Sequence, residues 1–437
     1  MDIPAKGRIA FVLIFAAFFI PVWGYTATAS VTWMRMLDLD GFRSAADVGS
    51  YLLELRTGIP PVLSALELLW WVRFRDLTLF TEILYPITIA LAFTLAVALQ
   101  SARPMHRIVL VAMGVFLANR GAEVHAGNPA NYDPLFALLL LGYFVLIDTW
   151  QRKRHPVWLA AAGLCLSLLE LTRPFMIFLL PLFLLVDGHR IYLTASRRQT
   201  APLRVGGIRT ALAAFLLPVV VLSGGWHLHL YAAHDRQIAW TNISGYNLQR
   251  AWEDFDPEIG AVQHLDQLPR NGELWANLNT TEIYRKSEDL KRMIVGKILD
   301  DPSGAAVHVT NRLATFVSSP VGMYGHDPKG IDIEIYRKLV SALVLLLPIY
   351  VAVSAVSLLR RRRWPWLDPH WWLAASTLSI ALVVTLGEQG EEARFLFTIM
   401  PMLLAVASFA VSDVIRAVRA DTDRPDCDKG APACDWY

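Results

Sequence analysis

Residues 60–75 read PPVLSALELLWWVRFR, and whether they cross a membrane decides the fold. The stretch is only about fifteen residues long, short of the roughly 20 apolar residues that a bilayer core requires. It carries Glu67, Arg73, Arg75 and the pair Trp70–Trp71. That mixture suits a helix lying at the interface, with its apolar face down and its charged side chains reaching back to water. Counting it as a span would invert every later connection and move the basic runs to the outside. It is therefore expected to lie along the bilayer surface.

The rest of the chain is more apolar still. Of 437 residues, 55% are hydrophobic and only 18% charged, and the mean hydropathy is +0.40; this is too little charge to wet a soluble protein of this length. The expected class is an all-α polytopic membrane protein. Ten spans are expected, near 9–25, 77–100, 107–121, 134–149, 156–171, 174–187, 209–230, 338–358, 370–387 and 395–415. The first, IAFVLIFAAFFIPVWGY, has aromatic flanks and no clear small-x-small cleavage site, and reads as a retained anchor. A net charge of +2 gives no footprint for nucleic acid. Cys165, Cys427 and Cys434 imply neither a disulfide framework nor a zinc site.

Sidedness follows from the positive residues. Lys6 and Arg8, Arg103 and Arg107, QRKRH at 151–155, Arg190 with Arg197 and Arg198, Arg360 to Arg363, and Arg416 with Arg419 all fall on one side. That side is expected to be the cytoplasm, with both termini there. Residues 122–133 and the acidic GEQGEE at 387–392, which hold no Lys or Arg, lie opposite, as does 231–337. Four regions result: a module of about seven helices over 1–230 with a first outer loop at 26–76, an external helical cap over 231–337, about three helices over 338–416, and a tail over 417–437. Within the cap, TEIYRKSEDLKRMIVGKILDDP has helical spacing, a Thr281 cap and an Asp-Pro stop.

The outer side collects ionisable residues: Asp38, Asp40 and Asp47 in the first loop, Glu123, His125 and Asp133 in the second, Arg173 beyond, and Glu388, Glu391, Glu392 and Arg394 in the last. Solvated interfacial charge is the ordinary reading of any one of them. Asp47 stands out. Asp47, Tyr51 and Glu54 fall at i, i+4 and i+7, so a short helix puts them on one face, and Gly58 with Pro60–Pro61 ends that helix. A carboxylate there can meet a water-borne acceptor and a lipid-tailed donor and can act as a general base; a helix-capping aspartate is the structural alternative. His227 and His229, two apart, point to opposite helix faces and suit packing better than metal ligation. No Walker or Gly-x-Gly-x-x-Gly signature indicates a nucleotide, and no spacing demands a metal.

The order of these features resembles polytopic GT-C glycosyltransferases, in particular the protein O-mannosyltransferase and lipid A aminoarabinose-transferase branch. The matching residues are Asp47, Tyr51, Gly58 and Pro60–Pro61 in the first outer loop, Asp133 in NPANYDPLF, Arg173 in a Gly-rich segment ending Thr-Arg-Pro, and EEARFLFTIMP. Val48 stands where that branch has a second acid, and Phe395 where it has tyrosine. The resemblance implies a GT-C-like bundle with interfacial helices in the first outer loop. It also implies an inverting transferase of the bacterial inner membrane that moves a sugar from a polyprenyl-phosphate donor to a glycan, lipid or protein on the periplasmic face. In that reading Asp47 is the base, with Asp38 and Asp40 as rivals. Arg394 and Arg173 hold the donor phosphate, while Tyr51, Asp133, Asp40, Glu392 and His125 line the pocket. No cofactor is required, and divalent metal use stays open. A transporter or flippase, or an inactive GT-C-like assembly partner, is the alternative; a transporter would want polar residues near mid-membrane, where this sequence is largely apolar.

Overall fold

The computed structural model describes residues 5–26, 39–54, 61–99, 104–125, 133–173, 175–196, 206–233, 244–262, 281–318, 330–387 and 392–422. Among these the chain is helical throughout. The helices are α1 (Ala5–Thr26), α2 (Ala45–Glu54), α3 (Pro61–Phe74), α4 (Leu77–Ala98), α5 (Pro104–His125), α6 (Asp133–Lys153), α7 (Pro156–Glu170), α8 (Met176–Ser196), α9 (Gly206–Val219) and α10 (Gly225–Ala233). They continue with α11 (Ser244–Trp252), α12 (Pro257–Gly260), α13 (Thr281–Asp300), α14 (Pro302–Ser318), α15 (Ile331–Arg360), α16 (Pro369–Gly387) and α17 (Glu392–Thr422).

Proline punctuates this order for a physical reason: at the first helical position its missing N–H is one that the helix would leave unbonded anyway. The residue before it supplies the cap. His155 Nδ1 accepts from Val157 N–H ahead of α7, and Asp368 Oδ1 accepts from His370 and Trp371 N–H ahead of α16. The Asp-Pro expected to end α13 does more than stop it. Asp301 caps α14, accepting from the Gly304 N–H at 2.9 Å.

Five helical stretches are long and apolar enough to cross a membrane: Leu135–Lys153, Met176–Ser196, Gly207–Ala233, Ile331–Arg360 and Pro369–Leu386. The other five expected spans are helical too, but their described apolar stretches, such as Ala10–Ile20 and Pro156–Glu170, are shorter. Large apolar side chains face outward along the long helices, with Phe178 and Leu185 each 73% exposed and Leu217, Ile349 and Val353 also exposed. In water each would forgo roughly 1.5–3 kcal/mol of burial, so a hydrocarbon surround is the environment that accommodates them.

The core sits around α17, where Ile399 to Phe409 are all buried; a helix apolar on all sides belongs inside a bundle. It packs on α4, α5, α6, α15 and α16, while α7 lies between α6 and α9 and α1 against α4 and α5. The α7–α9 crossing is close because Gly163 has no side chain: a Cβ there would overlap the Phe215 carbonyl. Small residues permit this approach between membrane helices. Beyond Pro218, α9 opens into a π turn, Val220–Gly224, before α10. Ser167 of α7 donates to the Pro218 carbonyl at 3.2 Å, a hydrogen bond between the two helices just ahead of the π turn.

The cap folds on its own small core of Tyr246, Trp252, Ile259, Leu290 and Ile294. Lys297 bridges Asp256 and Glu258 at 3.2 and 2.7 Å. Two contacts moor it to the end of α16: Trp252 Nε1 donates to the Leu386 carbonyl, and Arg312 donates twice to that of Thr385.

Candidate functional site

The decisive stretch forms α3, a helix of 14 residues closed by Arg75 in the left-handed region, φ 57°. Val48 of α2 and Leu68 of α3 are the centre of a small cluster with Leu39, Phe42, Tyr51, Trp70 and Trp71. Trp71 Nε1 donates to the Leu39 carbonyl at 2.8 Å, and Arg75 Nη1 to that of Phe42 at 2.8 Å. The described part of 26–76 is thus a packed unit. Asp47 has a defined place in it. Its Oδ2 accepts from the N–H of Arg43 (2.9 Å) and Ser44 (2.7 Å) and from Ser44 Oγ (2.9 Å), while Asp47 N–H donates back to Ser44 Oγ at 3.3 Å. This is a capping box with Asp at the third helical position.

The backbone N–H of Arg43, with Ser44, holds the Asp47 carboxyl below the usual carboxylate range. It is ionised at any physiological pH. Among the described residues nothing donates to its Oδ1, so the cap orients the carboxylate and leaves one oxygen available. Tyr51, one turn on, is half-buried edge-to-face on Phe42 at 5.2 Å, and Asp40 is exposed in the turn Leu39–Gly41.

The turn between α7 and α8 builds a second cluster. Glu170, fully buried at the last position of α7, meets the negative end of the helix dipole, and among the described residues Ser223 and His227 lie within hydrogen-bond distance of it. Ser223 Oγ bonds Oε2 at 2.9 Å, and His227 Nε2 lies 2.9 Å from Oε1. Ser223 sits in the π turn and His227 four residues later, so one face of the distorted helix presents both. Arg173, 1% exposed, follows Glu170 in the same turn, with its N–H bonded to the Leu169 carbonyl. Val62 and Trp226 pack on Leu171 and Leu230, joining α3 to this turn and to α10. His229 reaches the Leu53 carbonyl at 2.8 Å, joining α2 to α10.

The structure therefore brings Asp40, Asp47 and Tyr51 into one unit that adjoins the turn carrying Arg173. Asp133 opens α6, His125 closes α5, and Glu392 and Arg394 lie in the first turn of α17, but their side chains, like all of Asp38, lie outside the described residues. Sequence reasoning passed over Glu170, Ser223 and Glu67 as site residues. A lone acid in the apolar run LCLSLLELTRP was the available signal for Glu170. Glu67 is 5% exposed on α3, and burial alone pushes its carboxyl up to about 8. The two histidines do part company, His227 to Glu170 and His229 to Leu53.

One expectation is corrected. Asp187 and Arg190, expected at a span end and in a basic flank, are both buried within α8, which continues to Ser196. Asp187 Oδ1 accepts from Arg190 Nη1 at 2.7 Å, and its Oδ2 accepts from Tyr143 Oη (2.5 Å) and Trp372 Nε1 (2.9 Å). The helix runs on through both residues because three donors on α6, α8 and α16 replace the water that the carboxylate gives up.

Compared with known proteins, the chain matches no family model, no curated sequence and no solved structure.

Proposed function

We propose that the chain is an integral-membrane glycosyltransferase of GT-C type. Its ten helical segments cross the bacterial inner membrane, and its site faces the periplasm between the first outer loop and the α7–α8 turn. The observation that carries this reading is the junction itself. An oriented, ionised carboxylate with no described donor on Oδ1 lies in a unit that packs, through α3 and α10, against the turn that carries the buried Glu170, paired with His227, and the buried Arg173. Acid and guanidinium at one end of a bundle, beside interfacial helices, suit a donor whose lipid tail stays in the bilayer.

The chemistry balances simply. The acceptor oxygen or nitrogen forms a bond to the anomeric carbon while the bond from that carbon to the phosphate oxygen breaks, with inversion. The proton of the acceptor passes to a carboxylate, for which Asp47 is the candidate. A carboxylate with a depressed pKa is a weak base, but the acceptor becomes acidic as the new bond forms, so proton transfer can come late. Polyprenyl phosphate departs with an added negative charge, which a fixed guanidinium, Arg173 or Arg394, stabilises bidentately.

A second reading, a transporter, draws on the buried Asp187–Arg190 pair, because charge inside a bundle marks an ion or substrate path in many membrane proteins. Two variants separate the readings. Asp47→Asn keeps an acceptor for the Ser44 N–H and so keeps α2; a transferase loses product formation from a polyprenyl-phosphate sugar, measured with purified protein in lipid nanodiscs. Asp187→Asn impairs a transporter directly but changes transferase turnover only in proportion to any loss of folded protein. Full turnover by Asp47→Asn would refute the assignment of the base.

A further inference from the structure

The face of α15 remote from the outer cluster carries an unused feature. An open groove of about 470 Å³ lies along it, its described lining being Ala352, Val353, Val356, Ser357, Arg360 and Arg361. Its floor is apolar and exposed; Val353 and Val356 face away from the bundle. Its head is cationic, and none of the four arginines from Arg360 to Arg363 forms an ion pair with a described residue. Just past them Trp364 and Trp366 stack at 4.8 Å, an aromatic pair of the kind that settles at headgroup level. From Val353 to Arg360 the helix rises about 10 Å, so the groove runs from headgroup depth into the acyl region.

The end of the helix adds a second point. Arg362 occupies the left-handed position after α15, φ 54°, with the Arg363 N–H bonded to the Leu358 carbonyl. Glycine ordinarily takes that position. An arginine there accepts backbone strain, and its charge lies beyond the groove, whose described lining ends at Arg361.

We infer that this groove is a binding site for one anionic glycerophospholipid, its phosphate on Arg360 and Arg361 and one acyl chain along Val353 and Val356. Charge complementarity selects the headgroup, and the apolar floor requires a chain attached to it. A soluble phosphate has no use for the floor, and a neutral lipid none for the head.

The test is native mass spectrometry of the full chain released from nanodiscs of phosphatidylglycerol and phosphatidylcholine in equal parts. Wild type should retain one phosphatidylglycerol with a preference of roughly 30-fold, as expected for two arginines near a lipid phosphate. Arg360→Gln/Arg361→Gln should bring the preference to near parity, and Arg362→Gln/Arg363→Gln, with the same loss of charge outside the groove, should leave most of it. Val356→Trp fills the groove with every charge intact and should also lose the lipid. All five positions are exposed, and circular dichroism checks each fold. No preference in wild type, equal losses in the two arginine pairs, or an unaffected Val356→Trp would each overturn the site.

Discussion

Glu67 shows what a single side chain contributes at the junction. Its carboxyl, ordinarily near 4.5, sits at about 8 because burial disfavours the charged form. The folded chain keeps a proton that the unfolded chain releases, so this group's contribution is full below about pH 4.5, declines as pH rises toward 8, and changes no further above that. Each pH unit in that window is worth about 1.4 kcal/mol. Glu67→Gln should therefore flatten the pH dependence of the thermal midpoint between about pH 6 and 8 and leave the variant more stable than wild type at pH 9. An unchanged slope would show that Glu67 ionises without penalty. At this scale the sequence was partly legible. Ser44-x-x-Asp47 is a readable capping signature, and the face shared by Asp47 and Tyr51 follows from helical spacing. Glu170 and His227 are not legible as partners: they lie 57 positions apart, and only the packing of α10 on the α7–α8 turn brings them together.

Among the elements, α7 and α9 carry the tightest constraint. Gly163→Ala inserts a methyl group into the Phe215 backbone and should cost about 1–3 kcal/mol, read as a lower thermal midpoint in detergent. Gly142→Ala in α6, with nothing within 4 Å of the added atom, should be neutral or gain up to about 1 kcal/mol of helix propensity. Equal effects of the two would mean that helix propensity, not the crossing, governs. The reading of α3 as an interfacial helix rested on Glu67, Arg73 and Arg75, and the 14-residue helix agrees with the expected length. The π turn at Val220–Gly224 was invisible, since valines, leucine and serine there read as ordinary span. The tie of the cap to α16 through Arg312 was equally hidden, because a backbone carbonyl as acceptor leaves no trace in residue type.

For the whole molecule, the distribution of Lys and Arg and the lengths of apolar runs were enough to expect an all-helical membrane bundle, and five helices meet the length and hydropathy for crossing. Asp187 and Arg190 escaped because the rule that assigns basic residues to the cytoplasmic flank cannot tell a solvated arginine from one folded back onto a carboxylate. The junction of first outer loop and α7–α8 turn is what the proposed transfer depends on, and comparing the envelopes of cells with and without the gene reads that transfer most directly. Intact-mass analysis of lipid-linked sugars and envelope glycans should show a polyprenyl-phosphate sugar accumulating and one acceptor lighter by a single sugar in the deletion strain, with Arg173→Gln reproducing both changes at normal protein levels. Identical masses in all three strains would contradict a sugar transferase.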